Sequence, residues 1–161
     1  MQLSVAPAHD EDRPRIDALL QLYVYDLSAM LALDVGDDGR FRVPPLDDRG
    51  QLFVLRVDDK LAGFALVAGR SRLSGDPSVR DMAEFFVLRR FRGHGIGERA
   101  ATTLFERFGG TWEVRQKAEN TPATAFWRRA IGRYTGGRFE DFVVDDERWR
   151  GPVQRFVARS P

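Results

Sequence analysis

Two hydrophobic periods divide the chain. "QLSVAPA" (2–8) reads as a first strand. In "HDEDRPRIDALLQLYVYDLSAMLAL" (9–33), the apolar residues Ile16, Leu19, Leu20, Tyr23 and Leu27 recur at helical spacing. Asp10 to Asp12 put acids at the positive end of that helix, and Pro14 fits only its first turn. Residues 34–50 are loop by composition. "QLFVLRV" (51–57) and "LAGFALVAGR" (61–70) predict a hairpin turned at "DDK", and a second loop leads to a strand over 81–90. Ile96, Ala100, Leu104 and Phe108 then run at i, i+4 spacing, with Ala101 and Phe105 beside them, and Gly109-Gly110 ends the helix. A strand over 111–116, a helix over 121–134 with Pro122 near its start, and strands over 138–144 and 152–158 follow. Hairpins mixed with helical crossovers predict one α/β domain of mixed, α+β character over residues 1–161.

Composition narrows the chemistry. A chain of 161 residues has the length of one domain with one sizeable core. Its formal net charge of +1 gives no support to a nucleic-acid partner. The absence of cysteine excludes disulfides, a cysteine nucleophile and thiolate metal sites. With His9 and His94 the only histidines, no metal site is expected. The N-terminus lacks a basic region followed by an apolar one, and no apolar run approaches the ~20 residues that span a bilayer. A cytoplasmic protein without a membrane partner is the expectation.

The stretch with the most chemical content is "RRFRGHGIGERA", from Arg89 to Ala100. A P-loop requires Lys-Ser/Thr after its last glycine, but Gly97 is followed by Glu98 and Arg99. The dinucleotide fingerprint requires a third glycine where Glu98 stands, and belongs to a parallel βαβ unit. What remains is R-x-x-G-x-G, with Arg92, Gly95 and Gly97, between a strand and a helix. A helix N-terminus exposes unpaired N–H groups and a positive dipole end, and glycines let a phosphate approach them. A glycine-rich turn without a ligand has the same local signature.

"EFFVLRRFRGHGIGERA" resembles the acetyl-CoA-binding segment of the GNAT superfamily of N-acetyltransferases, where a strand ends in Val and a short turn with an aromatic leads into R-G-x-G-I-G. Val87, Phe91 and Arg92 to Gly97 match in order. "NTPATAFW" resembles the family's downstream N-x-x-A-x-x-F-Y through Asn120, Ala123 and Phe126. The resemblance covers Asp81 to Trp127 well. It implies a GNAT-like fold: a mostly antiparallel mixed sheet of six to seven strands, about four helices, and a splayed strand pair that holds acetyl-CoA. It also implies site roles. Backbone N–H groups of Gly93, His94, Gly95, Ile96, Gly97 and Glu98 would hold the pyrophosphate, with Arg92 and His94 beside it. Phe85, Phe86 and Val87 would line the pantetheine arm, Asn120 would hydrogen-bond it, and Phe126 and Trp127 would pack against it.

The implied reaction is direct acetyl transfer to an amine. A protonated alkylamine, with a pKa of about 10.4, cannot attack until its proton is removed. Glu84 is the candidate base; strict alternation would group it with Met82 and Phe86, and a bulge would shift that pattern. The family's usual Tyr is replaced by Trp127, whose indole N–H donates a hydrogen bond but transfers no proton. Tyr134, two turns further along the helix, is the candidate acid. Asp26, Asp34, Asp37 and Asp38 would suit an acceptor pocket for a cationic amine such as a polyamine or aminoglycoside, or would form a solvated acidic surface. The Trp at the Tyr position also motivates an alternative: a catalytically impaired acyl-CoA-binding sensor or partner module. Dimers are common in the family, so a homodimer is expected.

Overall fold

The computed structural model describes residues 1–46 and 49–161. Strand β1 (Leu3–Pro7) leads through a 3-10 turn into helix α1 (Arg13–Leu31). Strands β2 (Gln51–Val57), β3 (Lys60–Ala68) and β4 (Val79–Val87) follow, then α2 (Ile96–Phe108), β5 (Gly110–Arg115), α3 (Thr121–Thr135), β6 (Glu140–Asp145) and β7 (Arg150–Ala158). They form one seven-stranded sheet in the order β1-β2-β3-β4-β5-β7-β6. Every neighbouring pair is antiparallel except β4 and β5. Among the described residues there are three α-helices rather than four; the other helical pieces are 3-10 turns at Asp10–Asp12 and Arg89–Phe91. The expected strand over 81–90 ends at Val87 because Phe91 folds back into the core and closes the second of these turns.

Alternation of side chains along the strands produces two cores. On one face, α2 and α3 cover Phe53, Leu55, Ala65, Val87, Trp112 and Phe156 with Ala100, Leu104, Phe105 and Ile131. On the other, Ile16, Leu19, Leu20 and Val24 of α1 cover Val54, Phe64, Leu66 and Phe86. No helix among the described residues is long and apolar enough to cross a membrane.

Two irregularities in β4 prepare the site. Its register against β3 jumps from Leu66↔Glu84 to Val67↔Met82, so Ala83 is an extra residue, a bulge. Met82 therefore joins the α2/α3 core while Glu84 and Phe86 face α1, and the strict grouping of Met82 with Glu84 is overturned. The second irregularity is a splay. β4 pairs with β5 only at Val79↔Thr111, Arg80↔Trp112 and Asp81↔Glu113. Beyond that point Met82 to Val87 keep β3 on one side and an open edge on the other.

Candidate active site

The apex of the splay is a buried ionic knot. Asp81 and Glu113, adjacent across the two strands, are both fully buried. Arg115 donates to Asp81 through Nε at 2.8 Å and Nη2 at 3.1 Å, while Arg155 Nε (3.1 Å) and Ser71 Oγ (2.6 Å) donate to Glu113. Paired this way, the two carboxylates escape the cost of an isolated buried charge and fix where the strands part. No local pattern announces this knot, because its members lie 34 and 42 positions apart.

At the open end of β4 the chain makes its 3-10 turn and enters α2 through Gly93 (φ +78°) and Gly95 (φ +72°). The ladder of α2 begins with Arg99 N–H donating to Gly95 O at 3.0 Å, so the N–H groups of Ile96, Gly97 and Glu98 precede it. A Cβ on Gly93 or Gly95 would meet nothing within 4 Å. The space above these N–H groups is therefore open. At Gly97 a Cβ would lie 3.2 Å from the Phe126 ring, so this glycine lets α2 approach α3 closely. Ile96 is core, Glu98 pairs with Arg133 at 3.0 Å, and the exposed His94 donates through Nδ1–H to Arg92 O at 2.9 Å.

Arg92 does not extend over the loop. Its Nε donates to Val87 O at 2.7 Å and its guanidinium pairs with Asp26 of α1. Arg89 joins the same carboxylate at 2.7 Å. Burial alone would raise the pKa of Asp26, but the hydrogen bonds from Arg92 and Arg89 hold it below the usual carboxylate range. Arg92 thus ties the glycine loop to α1. Asp26 is committed to it, and Asp38 pairs at the surface with Arg42 at 3.2 Å, so neither is an unpaired acid.

The two faces of β4 present different chemistry to the open edge. On the α2/α3 side, Phe85 packs on Phe126 and Trp127, with ring centroids 6.2 Å and 5.1 Å away. Asn120 caps α3 by accepting from Ala123 N–H at 3.3 Å. Its amide nitrogen makes no hydrogen bond among the described residues. On the α1 side, Glu84 lies against Arg49 (3.3 Å) and the hydroxyl of Tyr23. Burial raises the Glu84 carboxyl above its ordinary pKa, opposed in part by Arg49 and Tyr23. Burial, and then the Glu84 charge, pushes the Tyr23 phenol well above its usual value, so it stays protonated beside the carboxylate. Phe86 also lies on this side, buried against Tyr23 and Phe64, so its ring is core rather than a wall shared with Phe85.

Residues 18–132 match the sequence profile of the Acetyltransferase (GNAT) family. The chain belongs to that family. Among curated proteins none matches it significantly in sequence. Among solved structures, the fold is similar to an acetyltransferase from Thermus thermophilus (16% identity, 98% of this chain and 97% of that one, TM-score 0.64). It is also similar to a "histone acetyltransferase HPA2 and related acetyltransferase" from Corynebacterium glutamicum (18%, 100% and 99%, 0.64). A third is the aminoglycoside acetyltransferase AAC(6')-Ib, solved with coenzyme A and kanamycin (14%, 97% and 95%, 0.64).

As a GNAT protein the chain is an acetyl-CoA-dependent N-acetyltransferase. Its residues fit that donor: an open glycine loop over helix N–H groups and, among the described residues, an unpaired β4 edge and an amide nitrogen of Asn120 without a partner. The candidate acid does not fit. Tyr134 lies against Phe105 and Phe156, and its hydroxyl accepts from Arg159 N–H at 3.1 Å. Arg159 follows Ala158, which pairs with Gly110 at the start of β5. Tyr134 is therefore at the closed end of the splay, away from Glu84, because two helical turns carry it about 10 Å along the axis from Trp127. Tyr23, Arg49 and the tethering function of Asp26 were beyond sequence reasoning, because each acts on a residue more than thirty positions away.

Proposed function

We propose that this protein transfers the acetyl group of acetyl-CoA directly to a primary amine of a small molecule, with Glu84 as the base. The carrying observation is the parting of β4 from β5 beyond Asp81↔Glu113, with the glycine loop at the open end and a raised-pKa carboxylate on the open strand. The N–H groups of Gly93 to Glu98 hold the pyrophosphate at the positive end of α2. The pantetheine arm lies along the edge of Phe85 to Val87 as an added strand. The Asn120 amide donates to the arm, and the rings of Phe85, Phe126 and Trp127 wall it on the helix side.

The amine enters from the α1 side, where Glu84, Tyr23 and Arg49 meet. Glu84 takes the ammonium proton, directly or through one water; its raised pKa brings it closer to a useful base strength, and Tyr23 orients it. The freed amine attacks the thioester carbonyl while the glycine loop and strand edge hold it in place. Cationic amines suit a site whose base is a half-buried carboxylate, and the fold neighbour solved with kanamycin supports including that class. Thermal shift with acetyl-CoA and CoA, followed by thiol release across amines that include a polyamine and an aminoglycoside, tests the proposal. Stabilisation by both nucleotides and amine-dependent thiol release are expected. No stabilisation by either nucleotide would end it.

A further inference from the structure

Trp127 carries an unexplained donor. The indole is only 6% exposed, wedged among Phe85, Phe126 and Phe105 with ring centroids 5.1, 4.9 and 6.4 Å away. A buried indole N–H usually finds a hydrogen-bond partner. This one donates to nothing among the described residues. Nor is it sealed: the one polar side-chain atom among them that is both shut off from solvent and unpartnered is Gln116 Oε1. The indole N–H is therefore not fully shut off from solvent, while its ring rests on Phe85, in the half of β4 with no strand beyond it among the described residues. Glu84, one residue earlier, faces the opposite side. Glu84 and the Trp127 ring thus lie on the two faces of one open strand.

We propose that Trp127 Nε1–H donates a hydrogen bond to the sulfur of the acyl thioester and stabilises the departing thiolate without giving up its proton. The proposal rests on reading the splay as the acetyl-CoA site. As the neutral amine attacks, a C–N bond forms, the C–S bond breaks with its electron pair passing to sulfur, and the second amine proton passes to water, because Glu84 already holds the first. Sulfur leaves as the thiolate and is protonated later by solvent. A thiol with a pKa of about 8.5 is a competent leaving anion, so a fixed N–H suffices where an acid would otherwise act. One consequence separates this from acid catalysis. No group on the thiol side titrates, so kcat has no basic limb near pH ~10, where a tyrosine acid would lose its proton.

The test uses the intact protein and its Trp127→Phe and Trp127→Tyr variants. The pKa of the CoA thiol is measured bound and free from its thiolate absorbance, beside kcat against pH. Bound CoA should ionise at lower pH than free CoA in the wild type. Trp127→Phe should abolish that shift and lower kcat about 10- to 100-fold, the loss of one hydrogen bond to a charged group, with CoA affinity within about twofold. Trp127→Tyr should recover most of the rate and gain a basic limb. An unshifted thiol pKa in the wild-type complex, or full kcat in Trp127→Phe, would overturn the assignment. Failure of CoA to bind the wild type would instead defeat the underlying acetyl-CoA reading.

Discussion

Gly95→Ala separates what the glycine loop contributes to folding from what it contributes to binding. Gly95 has φ +72° at the N-cap of α2, and its missing Cβ would touch nothing within 4 Å. The folding cost is then the backbone conformation alone, about 1–2 kcal/mol for an L-residue forced into the left-handed region. For a domain of this size that is a Tm loss of about 2–8 °C. Gly75 is a matched control. It has φ +74°, its Cβ would likewise meet nothing within 4 Å, and it lies in the β3–β4 loop. That loop sits at the other end of β4, about 30 Å from the glycine loop at the rise of an extended strand. Gly75→Ala should lose the same stability. Only Gly95→Ala puts a methyl into the space over the α2 N–H groups. Losing one hydrogen bond to a charged phosphate there, about 1.5–3 kcal/mol, raises the Kd for CoA about 10- to 100-fold. Differential scanning fluorimetry and calorimetric titration of both variants read the two effects separately. Equal CoA affinity in the two variants would refute the assignment of the loop to the pyrophosphate.

Glu84→Gln should lower kcat by about 10²- to 10⁴-fold while CoA still binds. Because burial raises the Glu84 pKa, its ionised form weakens the fold at neutral pH; the Gln variant should melt higher there, and the gain should vanish as pH falls to the ordinary Glu value of 4.5. In the wild type, kcat/KM should decline on acidification with a midpoint above that value. Asp26→Asn should cost about 1–2 kcal/mol, most of it from Arg92 because Arg89 is 74% exposed, and should raise the KM for acetyl-CoA by loosening the loop. This cost should disappear in acid, where the wild-type Asp26 also loses its charge. Tyr134→Phe should leave kcat and its pH profile unchanged and cost about 1 kcal/mol or less, since the hydroxyl accepts from Arg159 N–H; a tenfold fall in kcat would restore Tyr134 as an acid.

Periodicity alone located nearly every strand and helix, because each has a buried face whose spacing is written locally: Ile96, Ala100 and Leu104 in α2, or Leu52 to Leu55 on the two faces of β2. The glycine loop was legible for the same reason, since its strained backbone needs glycine in place. The site beyond it was not. The bulge at Ala83 moves Met82 to the other face from Glu84, and no property of alanine announces that. Asp26 read as an acid near an acceptor pocket, and only the fold shows it held by two arginines from beyond β4. Tyr134 shared a helix face with Trp127, but position along the axis, not facing, decides reach.

Hydrogen–deuterium exchange with and without CoA tests the central claim most directly, because it reads the N–H groups themselves. The amides of Gly93 to Glu98 and of Phe85 to Val87 should exchange more slowly when CoA is present, while those of the Gly75 loop stay unchanged. Protection that leaves residues 93–98 untouched would contradict the assignment of acetyl-CoA to the splay between β4 and β5.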